Sequence, residues 1–320
     1  MPEAPLLELT DVSKTYKVAG GGMFSRPRNL HAVSDVSLVV APGSSVGLVG
    51  ESGCGKSTLA KLAAGFVVPS SGEIDVSGQK QRDSHGRMMR GRGQFQMVFQ
   101  DPLAALDARM RIGEQIDEAI SLVSGRKGNI AERRNEILRQ VGLNEQFAAR
   151  YPHELSGGQR QRVVIGRALA AEPKLLICDE PLAALDVSVQ AQILALLYDL
   201  RTTLGLSLLF ISHQLSTVRH LCDEVIVMYA GRVVERGPTK ELFDNPQHPY
   251  SQMLLSTALD PRKRERRENT VVGEPPNPLN LPGGCPFHTR CPLMRPDPCT
   301  IQRPELRPVA HNLQAACHFA

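Results

Sequence analysis

Tryptophan is absent from this chain, and aromatic residues make up only 4% of it. Surfaces that track a nucleic-acid backbone interleave basic residues with aromatic stacking platforms, and no such face is found here, where the net charge is a mild +4. Nucleic acid is therefore not among the expected partners. Long apolar runs are missing too: segments such as Leu206 to Ile211 fall far short of the roughly 20 residues that a membrane-spanning helix needs. The N-terminus lacks the charged and apolar regions of a secretory leader, and paired Cys-x-x-Cys zinc knuckles are absent. The lack of a membrane-length apolar run and of a leader pattern leads to the expectation that the chain works in the cytoplasm.

What is present is a composition that folds. With 320 residues, 42% of them hydrophobic and 22% charged, the chain is long enough for a large α/β domain and a smaller appendage. Cysteine use is uneven. Cys54, Cys178 and Cys222 stand singly in apolar or glycine-rich stretches, as buried structural thiols do. Cys285, Cys291, Cys299 and Cys317 crowd residues 285–320 and mark a second unit.

Alternation at Leu6-Leu7-Glu8-Leu9 and at Val36, Leu38 and Val40 predicts half-buried antiparallel strands. Ser45 to Gly50 is an apolar run that stops at glycine, and Ser57 to Ala64 reads as a helix. Ile112, Ile116, Ala119, Ile120 and Val123 fall at helical spacing, and Ile137, Leu138 and Val141 predict another helix in the same insert. Strands at Leu175–Cys178, Leu206–Ile211 and Val225–Met228, with a helix from Val187 to Leu204, argue a mostly parallel sheet covered on both faces. The segment Leu103 to Asp107 reappears at Leu182 to Asp186, but the flanks do not match, so no repeat is read. From Asp260 a basic run, Arg262-Lys263-Arg264 with Arg266-Arg267, leads to Pro275-Pro276 and Pro278, the composition of an exposed linker.

Gly50-Glu51-Ser52-Gly53-Cys54-Gly55-Lys56-Ser57, followed by Thr58, satisfies the phosphate-loop pattern and lies between a strand and a helix, where that motif must lie. Glycines let successive N–H groups converge on phosphate oxygens, and the helix N-terminus adds partial positive charge. Lys56 suits the β- and γ-phosphates, and the Ser57 hydroxyl suits Mg²⁺. The plainer alternative is a glycine turn before an ordinary helix. Leu175 to Glu180 is an apolar strand ending in two carboxylates, Asp179 for a magnesium shell and Glu180 for polarising water; by itself the pair could equally cap the next helix. Leu155-Ser156-Gly157-Gly158-Gln159 opens another helix, Ser156 and Gln159 forming a capping box. That leaves the two glycines without a purpose unless this helix end also meets an anion.

Phosphate loop, Leu-Ser-Gly-Gly-Gln and Asp-Glu in this order resemble the ABC ATPase family. The resemblance implies an α/β, ABC-type phosphate-loop ATPase with an antiparallel β subdomain, a parallel-sheet core, a helical subdomain and a small Cys-rich C-terminal extension. It implies that Tyr16 stacks on adenine, that Gln100 senses Mg²⁺ and water, that Asp186 lies at the subunit contact and that His213 touches the γ-phosphate. Taken alone, Tyr16 would be packing, Gln100 a loop residue and His213 a structural histidine. The family geometry is a head-to-tail dimer in which Ser156 and Gly158 of one subunit close over ATP held by the other.

Met97 to Leu103, Tyr151-Pro152-His153-Glu154, Asp186 to Gln192 and Asn245 to Tyr250 are similar to the ATPases of oligopeptide and dipeptide importers. By this resemblance residues 1–245 form the ATPase domain, with a helical subdomain at about 104–165. Residues 246–284 form an extension and linker, and 285–320 a Cys-rich subdomain. The insert from Gly20 to Asn29 looks like the second of the two ATPases in such systems, which implies a heterodimer, two membrane permease subunits and a substrate-binding protein reached through them. The place of work would be the cytoplasmic face of the bacterial inner membrane, as a peripheral subunit. Nickel and glycoside importers use closely similar ATPases, and a soluble non-transport ABC ATPase or a redox sensor is the reading from another class. Some relatives carry a [4Fe-4S] cluster on a quartet like Cys285, Cys291, Cys299 and Cys317, and prolines directly after Cys285 and Cys291 suit a cluster; Zn²⁺ and a metal-free tail are the alternatives, with His288, His311 and His318 near enough in sequence to substitute as ligands.

Overall fold

The computed structural model describes residues 4–19, 27–81, 94–123, 129–183, 185–258 and 273–320. Most of the insert from Gly20, the basic run at 262–267 and Ala184 lie outside the described residues. The chain divides into two compact units that interleave along the sequence.

The phosphate-loop unit takes residues 7–39, 46–75 and 212–320. Strands β1 (Leu7–Val18), β2 (Arg28–Val40) and β4 (Ser71–Val76) form a sheet in the order β2-β1-β4. Both long strands extend well beyond the alternating segments that announced them. The central strand β3 (Ser45–Val49) is buried at every position, as an apolar run covered on both faces must be. It runs parallel to β9 (Glu224–Tyr229), with Val46 opposite Glu224 and Val49 opposite Val227. Ala230 and Gly231, at φ +47° and +79°, turn β9 into β10 (Arg232–Pro238). Two left-handed residues in a row suit a two-residue hairpin, whose twist matches the strands it joins.

The C-terminal region belongs to this unit. Strand β12 (Gln314–Ala315) pairs antiparallel with β10, Glu235 lying opposite Ala315, and β11 (Arg307–Pro308) pairs with β12. Phe287 is buried in an aromatic cluster, its ring centroid 5.2 Å from that of Tyr229 and 5.4 Å from that of Tyr250. Tyr250 comes from α9 (Pro249–Ala258), which follows α8 (Thr239–Asp244). Edge-to-face rings add favourable quadrupole contacts to the apolar burial. The extension is thus held by sheet pairing and a shared aromatic core, neither of which has a periodic signature in the sequence.

The second, insert-bearing unit takes residues 76–211 with the short segments 4–6 and 40–45. Three parallel strands, β6 (Phe95–Val98), β7 (Leu175–Asp179) and β8 (Ser207–Ile211), lie side by side, and β7 and β8 are buried throughout. Between β6 and β7 come α2 (Pro102–Ala105), α3 (Ile112–Val123), α4 (Ile130–Gln140) and α5 (Gly157–Leu169). Asp101 caps α2, accepting the Leu103 N–H at 2.8 Å, and Asn129 caps α4 through the Glu132 N–H. Helix α6 (Val187–Leu204) spans the predicted residues and ends at Gly205, whose φ of +63° gives it a left-handed stop.

Candidate nucleotide site

Between β3 and α1 (Lys56–Ala63) the backbone takes conformations that only glycine accepts without strain. Gly50 has φ +151°, and a Cβ there would stand 2.3 Å from the Met228 carbonyl oxygen. Gly55 has φ +107°, and its Cβ would stand 2.2 Å from the Ala32 oxygen. Gly55 is also the N-cap of α1 and offers no side-chain acceptor to the first N–H groups of the helix. The positive end of α1 therefore begins without the hydroxyl or carboxylate that normally satisfies it.

Lys56, only 4% exposed, donates from Nζ to the carbonyl oxygens of Gly50 at 2.8 Å and Glu51 at 2.9 Å, with Cys54 Sγ at 3.8 Å. Burial pushes the Cys54 thiol above its ordinary range, so it stays neutral. The carbonyls that hold the buried Lys56 Nζ are neutral acceptors. An uncapped helix end beside a buried ammonium is a donor set suited to phosphate. Ser52 and Gly53 are exposed, and Ser57 and Thr58 half-buried.

In the same unit Tyr16 is half-buried on β1, with Lys14 Nζ 5.0 Å from its ring centroid. His213 is exposed. Its neighbour Ser212 donates its N–H to the Leu48 oxygen at 3.2 Å and accepts the Gln214 N–H on Oγ at 2.9 Å. The histidine is thereby tied close to the end of β3, from which the phosphate loop springs.

In the insert-bearing unit, Val98 and Cys178 are paired, so Gln100 and the pair Asp179-Glu180 follow neighbouring strand ends. Ligands in α/β folds gather beyond such carboxyl ends. Asp179 is buried, Gln100 exposed and Glu180 half-buried. Glu180 donates its N–H to the Ile211 oxygen at 3.0 Å and has φ +47°, uncommon for a residue with a side chain.

The capping box at α5 is present as read: the Gln159 N–H reaches Ser156 Oγ at 3.3 Å, and the Ser156 N–H reaches Gln159 Oε1 at 2.9 Å. Gly158 has a packing role that local reading missed. A Cβ on Gly158 would stand 2.5 Å from Val189 Cγ1, so glycine there lets α5 approach α6; Gly157 has more room, its nearest neighbour being Leu185 Cδ2 at 3.4 Å. Asp186 caps α6, accepting the Ser188 hydroxyl at 2.7 Å and the Val189 N–H at 2.9 Å, and these bonds hold its carboxyl below its ordinary range.

Two residues outside the expected site touch the phosphate loop. Arg290 forms a fork on Glu51, Nη1 to Oε2 at 2.7 Å and Nη2 to Oε1 at 2.9 Å, and the Glu51 N–H donates to Tyr250 Oη at 2.8 Å. No local pattern announces a partner 239 positions away. Near Arg290, burial raises the Cys285 thiol to about 11 and also raises that of Cys291. Cys291, Cys299 and Cys317 lie close enough to add to the Cys285 shift. Among the described residues, however, no three of His, Cys, Asp and Glu are grouped so as to hold a metal ion.

The comparisons with known proteins agree with this geometry. Residues 33–183 match the ABC transporter family, and residues 234–299 match the oligopeptide/dipeptide transporter C-terminal region. The oligopeptide transport ATP-binding protein AppF of Bacillus subtilis is 44% identical, covering 98% of this chain and 97% of its own length. The dipeptide transport ATP-binding protein DppF of Escherichia coli is 43% identical over 98% and 94%. Among solved structures, cbiO1 of Clostridium perfringens, part of the ABC transporter complex cbiONQ, is 30% identical with a TM-score of 0.65, covering 76% of this chain and 92% of that one. The ATP-binding cassette MJ0796, a dimer with ADP and Pi bound, is 29% identical with a TM-score of 0.62 over 73% and 98%. With its phosphate loop in place and near-complete alignment to these relatives, the chain belongs to the ATP-binding subunits of the oligopeptide/dipeptide ABC importer family, and it is an ABC transporter ATPase.

Proposed function

We propose that this chain is one of two ATPase subunits that together power uptake of short peptides across the bacterial inner membrane. The observation that carries the reading is the loop Gly50 to Thr58, where a buried Lys56 ammonium among neutral acceptors sits at an uncapped helix N-terminus. The loop's N–H groups at Ser52, Gly53, Gly55, Ser57 and Thr58 and the Lys56 ammonium hold the β- and γ-phosphates of ATP, while Glu51 and Cys54, whose N–H groups go to Tyr250 Oη and the Glu51 carbonyl, shape the loop. Tyr16 stacks on the adenine. Mg²⁺, when bound, supplies charge neutralisation at those phosphates, and Ser57, Gln100 and Asp179 are the residues that would hold it.

Glu180 orients the attacking water and takes its proton as the water oxygen bonds to the γ-phosphorus and the bond to the bridging oxygen breaks, giving ADP and phosphate. Gln100 positions that water, and His213 contacts the γ-phosphate. Ser156, Gly157, Gly158 and Gln159 present the N-terminus of α5 to the nucleotide of the partner subunit, with Asp186 at the subunit contact. ATP then bridges the two subunits, and loss of phosphate releases them.

The printed names of the relatives support peptide cargo, and the dimeric cassette supports paired subunits. In our reading the partner is a second, similar ATPase, and the pair docks on two permeases served by a substrate-binding protein. Residues 1–245 are the motor, the helical region at about 104–165 meets the permease, 246–284 are the extension and linker, and 285–320 the Cys-rich subdomain. Among the described residues no helix is long and apolar enough to cross a membrane; in our reading the chain attaches peripherally, at the cytoplasmic face, through the permeases. A [4Fe-4S] cluster on Cys285, Cys291, Cys299 and Cys317 rests on cysteine spacing alone, with Zn²⁺ or a metal-free tail as the alternatives, and no step of hydrolysis is routed through it.

The test is ATP turnover by the complex reconstituted in vesicles with its binding protein. Di- or tripeptides should stimulate turnover and accumulate in the vesicle lumen. Stimulation by nickel or a glycoside, with none by peptides, would remove peptide import from the account.

A further inference from the structure

Glu51, the residue after Gly50, is pinned through every polar group it has. Its N–H donates to Tyr250 Oη at 2.8 Å, its carbonyl accepts from Lys56 Nζ at 2.9 Å, and its carboxylate receives both terminal nitrogens of Arg290. Two of these three fastenings come from the C-terminal region. The Arg290 side chain is 4% exposed. Its guanidinium lies 5.8 Å from the Tyr229 ring centroid and 6.0 Å from that of Phe287, with Nη1 also 3.3 Å from Tyr229 Oη. The fork is therefore fixed by aromatic packing rather than loosely screened by water. Bidentate pairs of this kind are the strong ones, and lysine cannot reproduce their geometry.

A carboxylate in a loop that must surround a triphosphate is an electrostatic liability. Left unpaired beside a desolvated anion, it would repel the phosphates and swing the loop's N–H groups out of register. Arg290 removes both problems, neutralising the charge and fixing the side chain, while Tyr250 fixes the backbone.

We propose that Arg290 is a positioning residue for the phosphate loop: through its fork on Glu51 the C-terminal region holds the loop in its phosphate-receiving shape and so sets the affinity for ATP. This rests on the reading that the Gly50 to Thr58 loop binds the phosphates of ATP. It gives the extension a role in nucleotide affinity that lies outside the mechanism described above. Because Arg290 directly precedes Cys291, a displacement of that cysteine segment reaches the nucleotide through one side chain.

The experiment compares wild type, Arg290→Ala, Arg290→Lys, Glu51→Gln and the double variant Glu51→Gln/Arg290→Ala in the full complex. Three quantities are read: KM for ATP, kcat, and Kd for a fluorescent ATP analogue. Arg290→Ala should raise KM and Kd about tenfold and leave kcat within about twofold, the pattern of lost binding rather than lost chemistry. Arg290→Lys, which keeps the charge and loses the fork, should fall between the two. In the Glu51→Gln background, where no charge needs neutralising, Arg290→Ala should change Kd by no more than about twofold.

A lower melting temperature with unchanged Kd would make Arg290 a mere staple of the extension and overturn the proposal, as would effects that add in the double variant or a loss confined to kcat. If Arg290→Ala does not fold, Arg290→Lys and the double variant decide by the same criteria. Failure of the wild-type chain to bind the analogue is a separate result, which overturns the phosphate-loop reading itself.

Discussion

Gly158 faces Val189 so closely that a Cβ on the glycine would stand 2.5 Å from the valine Cγ1. The N-terminus of α5 can approach α6 only because position 158 has no side chain. Gly158→Ala should therefore destabilise the chain by about 1–3 kcal/mol, the usual cost of overpacking. Gly157→Ala, with its nearest atom at 3.4 Å, should cost less than about 1 kcal/mol. Denaturant unfolding of the two variants checks the difference, and equal costs would mean that packing does not explain Gly158.

A second prediction concerns acid. His248 is buried, accepts the Tyr250 N–H on Nδ1 at 3.0 Å, and is pushed down to about 4 by burial. The unfolded histidine binds a proton near its ordinary value of 6.5, whereas the folded one does not until about 4. Protons thus favour the unfolded chain in that window, and stability falls as pH drops from about 6.5 towards 4. At pH 5 the loss from this residue should be about 2 kcal/mol relative to neutral pH. Glu235, which accepts the His248 N–H and is raised by burial, acts in the opposite sense. That term is common to wild type and His248→Gln, so unfolding titrations of both at pH 7.5 and 5 isolate the histidine. Parallel pH dependence in the two would contradict the assignment.

The cysteine quartet makes a compositional prediction. If the proposed cluster is held, a chain purified without oxygen carries about four iron and four sulfide, with the matching visible absorption, and loses them on Cys291→Ser; the lack of a metal-holding group among the described residues favours the opposite result. Zinc in their place would support the alternative ligand set. No metal at all would leave four thiols whose burial keeps at least Cys285 and Cys291 protonated.

Much of this molecule was legible because the relevant patterns are local. The sequence predicts α6 over Val187 to Leu204, and β3 and β8 to within a residue, because apolar runs bounded by glycine or polar residues identify themselves. The phosphate loop and the Ser156–Gln159 box were legible for the same reason: their chemistry lies within a few consecutive positions. What stayed hidden depends on distant partners. Gly158 gains its reason from Val189, on another helix, and Glu51 from Arg290 and Tyr250, near the other end of the chain. The two-residue strands β11 and β12 are too short to have a period, so their pairing with β10 follows only from tertiary structure.

The central claim is that Glu180, at the end of β7 and held at φ +47°, is the base that activates water in an ATPase of transport. The most direct measurement is single-turnover hydrolysis of ATP by the assembled complex carrying Glu180→Gln, followed together with retained nucleotide. The account predicts a loss of roughly 100-fold or more in the hydrolytic step, with uncleaved ATP held in a closed pair of subunits. Turnover at the wild-type rate, or loss of ATP binding in place of hydrolysis, would contradict it.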